Sequence, residues 1–81
     1  MSNRAKYRKL FIEALSLKEE TLNDNLKYND IPEWDSIGHM TLMSAIEEAF
    51  NISIDTDDII DFSSYKKGME ILESRHNLKF D

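Results

Sequence analysis

Apolar residues recur at helical spacing in three stretches of the chain. Within residues 3–16, Tyr7, Leu10, Phe11, Ala14 and Leu15 fall at i, i+3, i+4, i+7 and i+8, one buried face of an amphipathic helix. Ser2 or Asn3 is placed to cap its start. Arg4, Lys6, Arg8 and Lys9 occupy the rest of its surface, where cations near an N-terminus oppose the helix dipole. Residues 36–50 carry the strongest helical pattern, with His39, Leu42, Met43, Ile46 and Phe50 on the core side. The opposite side reads Ile37, Met40, Thr41, Ser44, Glu47 and Glu48, apolar at its start and acidic at its end. Asn51 is a suitable stop. Toward the C-terminus, Ser63 or Ser64 precedes a third periodic run, with Tyr65, Met69, Leu72 and His76 on one side. Gly68 shares that side and would permit a close helix contact. The tail 77–81 is expected to fray.

Two segments lack this period. Residues 17–35 form a long connection, and a long ordered loop in a small domain is a place to look for function. Leu17, Leu22, Leu26, Tyr28, Ile31 and Trp34 punctuate it as apolar pegs, and Pro32 holds Ile31 extended. Ile52 and Ile54 flank Ser53 as a buried connector, too short for a sheet. Asp55, Thr56, Asp57 and Asp58 then open a short helix toward Ile59 and Ile60, with acids where the dipole favours them. The expected class is all-α.

With 81 residues, the chain has room for one domain, residues 1–81, and none for a nucleotide-binding sheet. It contains no cysteine, so neither disulfides nor thiolate metal sites are available. No apolar run reaches membrane-spanning length, and residues 1–6 lack the apolar stretch of a secretion signal; the expected compartment is the cytoplasm. Charge is segregated: residues 1–18 carry net +4, residues 19–61 net −11 and residues 62–81 net +1. An acidic centre repels phosphate backbones, which argues against nucleic acid and for basic partner surfaces.

Asp35 and Ser36 stand side by side before the strongest helix. Either can cap it, so one is spare. Neither forms a capping box, because three residues on stand Gly38 and His39 instead of Glu or Gln. A spare serine hydroxyl at a helix N-terminus is a favourable place for a phosphodiester.

Over nearly its whole length the chain resembles the acyl carrier protein family, whose members carry Asp-Ser-Leu at the start of their second helix. Here the tripeptide is Asp35-Ser36-Ile37, and the likeness runs through Leu42, Ala45, Ile46-Glu47-Glu48, Phe50, Ile54 and the acids of 55–58. The resemblance implies a four-helix bundle with a long first loop and a short third helix. It implies that a phosphopantetheinyl transferase attaches 4′-phosphopantetheine from coenzyme A to Ser36, with Asp35 positioning the transferase and its metal. The arm's thiol would hold acyl groups as thioesters, which reconciles thiol chemistry with a cysteine-free chain. Ile37 and Met40 would be apolar contacts for loading and processing enzymes, and Glu47 and Glu48 would meet their basic patches, in small transient complexes formed by a monomer. Aminoacyl cargo, of D-alanyl or nonribosomal peptide type, is the alternative, and an unmodified helical interaction module is a third reading. Gly38 and Thr41 stand where fatty-acid carriers have acids. Trp34 before the motif is more similar to stand-alone carriers of specialised pathways.

No catalytic residue is assigned. His39, three residues after Ser36, lacks the orienting group and oxyanion hole a hydrolytic dyad needs, and reads as a half-buried helix residue. His76 reads as surface. Asp55-Thr56-Asp57 opens like a calcium loop, but Ile59 stands at a ligand position and no central glycine follows, so no metal site is assigned; the acidic cluster leaves room only for weak divalent-ion binding. Met43, Ile46, Ile54, Ile59 and Met69 are the expected liners of any space for cargo between the helices. Trp34 reads as a loop peg, with an apolar patch beside Ile37 and Met40 as its other possible place.

Overall fold

The computed structural model describes residues 2–80 and is all-helical. Helix α1 spans Asn3–Leu15, α2 Ser36–Phe50, α3 Thr56–Asp61 and α4 Tyr65–His76. These match the sequence expectation for each element. Ser2 caps α1 by accepting the Ala5 amide at 3.1 Å, and Ser64 caps α4 by accepting that of Lys67 at 2.9 Å. Asn51 and Asn77 end α2 and α4 in the left-handed region, which asparagine adopts more readily than most residues.

The basic surface of α1 is put to use. Arg8 donates to the Glu19 and Leu22 carbonyls at 3.1 and 3.4 Å, fixing a 3-10 turn at Glu19–Thr21 that periodicity did not predict. The Lys6 ammonium lies 4.9 Å from the centre of the Phe50 ring, a cation–π contact between α1 and α2. These contacts offset the unfavourable placement of cations near the helix start.

The long first loop is ordered by its pegs. Leu17, Leu22, Leu26 and Trp34 are buried, and Tyr28 and Ile31 are half-buried against the same core. Its backbone is tied to the α3–α4 junction: Tyr28 N–H donates to Ser63 O and Tyr65 N–H to Leu26 O, each at 2.9 Å. Phe11 is the centre of the aromatic core, with Tyr7, Trp34 and Tyr65 ring centroids 4.9, 5.2 and 4.9 Å away. Burial pushes the Tyr7 phenol well above its usual pKa, so it stays protonated and donates to the Tyr65 carbonyl at 2.7 Å.

Both helical glycines are required by close approach. A Cβ on Gly38 would collide with the Glu33 carbonyl oxygen of the loop, which accounts for a weak helix former one turn into α2. A Cβ on Gly68 would enter the Phe62 ring and the Tyr7 hydroxyl, in a core where Phe62 is only 1% exposed. Gly68→Ala gains about 1 kcal/mol of helix propensity, but the overpacking outweighs it. A net loss of about 1–3 kcal/mol is expected, read as a lower urea midpoint; an unchanged or higher midpoint would show that the core can yield there.

Helix α3 is held to α4 by charge. Buried Asp58 accepts from Arg75, and His76 Nε2 donates to its other oxygen at 3.0 Å; Arg75 also reaches Asp61 at 3.3 Å. His76 is therefore a structural contact, not the surface residue expected from sequence. The hydrogen bond from Arg75 holds the Asp58 carboxyl below its ordinary pKa, against the opposing effect of burial and with help from His76. A depressed folded-state pKa contributes stability that is present above the unfolded value and is lost as pH falls through the folded value. The stability difference between the protein and its Arg75→Gln variant should therefore shrink from about pH 5 to about pH 2, as followed by urea unfolding. A difference that stays constant over that range would contradict the pairing.

The C-terminal tail also departs from expectation. Phe80 packs 5.4 Å from Tyr7, centroid to centroid, and the Lys79 carbonyl accepts from Asn3 Nδ2 at 3.0 Å. Leu78 and Phe80 are apolar and continue the core, so residues 77–80 are docked; the last position of the tail lies outside the described residues. No helix among the described residues is long and apolar enough to cross a membrane.

Candidate functional site

The ambiguity between Asp35 and Ser36 is resolved at the start of α2. Asp35 is the cap: its backbone is extended and its Oδ1 accepts the Gly38 amide at 2.8 Å. Ser36 is thus the first helical residue, and its hydroxyl is not used by the helix. The residue is exposed, and its Oγ lies 3.1 Å from the Tyr28 hydroxyl, either oxygen being able to donate. The first-turn amides of a helix point outward beneath such a hydroxyl and favour negative charge.

An apolar groove of about 330 Å³ opens beside Ser36, with Tyr28, His39, Met40, Ile59, Ile60 and Phe62 among its walls. Of the liners expected from sequence only Ile59 belongs to it. Met43, Ile46 and Ile54 are packed in the core, at 1%, 0% and 6% exposure, and Met69 contributes to the core from α4. Tyr28 and Ile60 were not expected at the site. A loop position carries no period, and Ile59 and Ile60 lie adjacent in a helix too short for periodicity to tell inward from outward.

Around the groove, Ile37, Met40 and Ile60 are 79%, 51% and 71% exposed, an unusual concentration of bare apolar side chains for so small a protein. Trp34 takes no part in that patch; it is fully buried, as a loop peg. Farther along α2, Glu48 is exposed, and Glu47 is half-buried with Oε2 accepting the Ile54 amide at 2.8 Å. Glu47 therefore holds the α2–α3 connector as well as facing outward.

His39 is no base for Ser36. Its Nδ1 accepts from the Trp34 indole at 2.9 Å, so the proton sits on Nε2 and is donated to the Ile59 carbonyl at 2.9 Å. Both ring nitrogens are committed inside the fold, and the residue is 8% exposed. A second, larger hollow of about 590 Å³ lies between α3 and α4, lined by Asp55, Asp57, Asp58, Asp61, Arg75 and His76. Its best-buried acid is already paired with Arg75 and His76, and no group of three or more His, Cys, Asp or Glu side chains that could hold a metal occurs among the described residues.

The comparison with curated proteins finds no match. The family model described as the phosphopantetheine attachment site matches residues 8–67, which takes in most of α1, the long loop, α2, α3 and the start of α4. An all-helical chain, an exposed serine hydroxyl spared from capping and a match over more than half its length lead to one conclusion: this chain belongs to the phosphopantetheine attachment site family, carrier domains that bear a covalent 4′-phosphopantetheine.

Proposed function

We propose that Ser36 is the attachment point of the arm, and that the protein carries acyl groups as thioesters in fatty-acid-like or specialised biosynthesis, as a monomer in the cytoplasm. The observation that carries this is the division of labour at the head of α2. Asp35 takes the capping role and leaves the Ser36 hydroxyl exposed at the positive end of a 15-residue helix. A phosphodiester there fits, since its charge is stabilised by the helix terminus and the Tyr28 hydroxyl lies within reach of the same oxygen. When bound, the arm supplies the thiol that the polypeptide lacks.

The remaining roles follow from chemistry and exposure. Asp35, exposed beside Ser36, is the acidic neighbour that a transferase and its metal would meet. Ile37 and Met40 give partner enzymes an apolar contact, to which Ile60 of α3 is added. Glu48, and Glu47 through what its connector bond leaves available, attract basic partner surfaces. Contacts of this kind are small and short-lived, with charge acting mainly on the rate of encounter.

Two experiments test this reading. The intact mass of the protein purified from its own host should exceed the chain mass by a phosphopantetheine, with or without cargo; uniformly unmodified protein beside a competent transferase would favour an interaction module. Loading trials then separate the cargo classes. Acylation by an acyl ligase is expected, whereas charging only by an amino-acid-adenylating enzyme would assign the protein to the aminoacyl carriers.

A further inference from the structure

Two walls of the groove beside Ser36 are joined by a hydrogen bond. His39 belongs to α2 and Ile59 to α3, both line the groove, and His39 Nε2 donates across it to the Ile59 carbonyl at 2.9 Å. Ile59 O lies in the last turn of α3, where helix carbonyls lack intrahelical partners. On its other side the imidazole accepts from Trp34 Nε1 at 2.9 Å, edge to edge, with the two ring planes 26° apart. The Phe62 and Tyr28 rings meet it edge-on, with centroids 5.9 and 5.1 Å away. Loop, α2 and α3 are thus joined through one side chain.

Parting α2 from α3 would strand the part-buried Ile59 carbonyl and the His39 Nε2–H that donates to it. Each unsatisfied group of this kind disfavours the open form by about tenfold to a hundredfold. The helical interior is filled by Leu42, Met43 and Ile46, none more than 1% exposed. The space outside it, about 330 Å³, holds on the order of ten water-sized groups.

We propose that His39 is a specificity-determining positioning residue. It bolts α3 to α2, so that the protein shelters only short acyl or aminoacyl groups and leaves longer chains outside the helical interior. This inference rests on Ser36 being the attachment point. It names a property of this chain that follows from the Trp34–His39–Ile59 contact and not from the attachment itself.

The test uses protein carrying the arm, loaded with butyryl, octanoyl or dodecanoyl groups and checked by intact mass. Cleavage of each thioester by hydroxylamine is measured relative to the same thioester on free pantetheine, with the emission of Trp34 followed in parallel. In the unaltered protein, protection is not expected to build up with chain length: octanoyl and dodecanoyl thioesters are cleaved as on free pantetheine with emission unchanged, and any slowing is confined to butyryl. In His39→Ala, longer chains enter, emission shifts, and cleavage slows with length; each further pair of buried methylenes favours the sheltered form by about tenfold. If His39→Ala is unfolded by circular dichroism, His39→Leu, which keeps bulk but neither hydrogen bond, takes its place. Protection that increases with chain length in the unaltered protein overturns the inference. So does a folded His39 variant in which length has no effect. A protein that takes up no arm overturns the attachment reading and this inference together, whereas one that takes up the arm but fails the length series overturns this inference alone.

Discussion

Trp34→Ala is expected to leave much of the protein unfolded at 25 °C. Trp34 is fully buried and stands edge-on to Phe11 at 5.2 Å, so it joins the long loop to the centre of the aromatic core. Deleting a buried Trp or Phe side chain costs about 3–5 kcal/mol. A domain of this length has only about 4–12 kcal/mol in total. The substitution also removes the donor to His39 Nδ1, which leaves a buried ring nitrogen without a partner and loosens the contact with Ile59. The urea midpoint, followed by far-ultraviolet circular dichroism because the only tryptophan is gone, should fall steeply. Trp34→Phe keeps a ring and loses only the N–H and some bulk, so it should cost less. A midpoint for Trp34→Ala near that of the unaltered protein would mean that the loop is not held as described.

The second large effect is on modification. Ser36→Ala should lose loading completely while changing stability by only a few tenths of a kcal/mol, within the range of ordinary surface substitutions. The basis is geometric. Asp35 caps α2, so the Ser36 side chain is not used to satisfy helix amides. Its hydrogen bond with Tyr28 is exposed. Loss of modification with retained stability separates a chemical role for the hydroxyl from a structural one.

Periodicity made most of the fold legible, because the core faces of α1, α2 and α4 are sampled every three or four residues. Tyr7, Phe11 and Leu15, then Leu42, Met43 and Ile46, are buried as their spacing requires. Caps were legible as pairs of candidates, and hydrogen-bond geometry chose Ser2, Asp35 and Ser64. What was not legible depends on partners distant in sequence. His76 meets Asp58 across 18 positions, the loop backbone pairs with the α3–α4 junction, and Phe80 returns to Tyr7. None of these leaves a local pattern. Gly38 is the clearest case: by propensity alone it weakens α2, yet the Glu33 carbonyl of the loop occupies the place a Cβ would take.

The candidate site divides in the same way. Ser36 could be singled out from the sequence as a spare hydroxyl at a recognisable helix start, and Asp35, Ile37 and Met40 through the family resemblance. The groove could not, because Tyr28 comes from the loop and Ile60 from a helix of only six residues. His39 was read as a half-buried helix residue, and burial is what the structure shows. Its double hydrogen bond, which fixes both the tautomer and the spacing of α2 and α3, joins partners 5 and 20 positions away and leaves no local pattern.

The most direct measurement is intact mass after incubation with coenzyme A and a broad-specificity phosphopantetheinyl transferase, run in parallel on the unaltered chain and on Ser36→Ala. The prediction is a gain of one phosphopantetheine in the first, located on the peptide containing Ser36, and no gain in the second. An arm found on another residue, or an equal gain in Ser36→Ala, would contradict the assignment of this hydroxyl as the point of attachment.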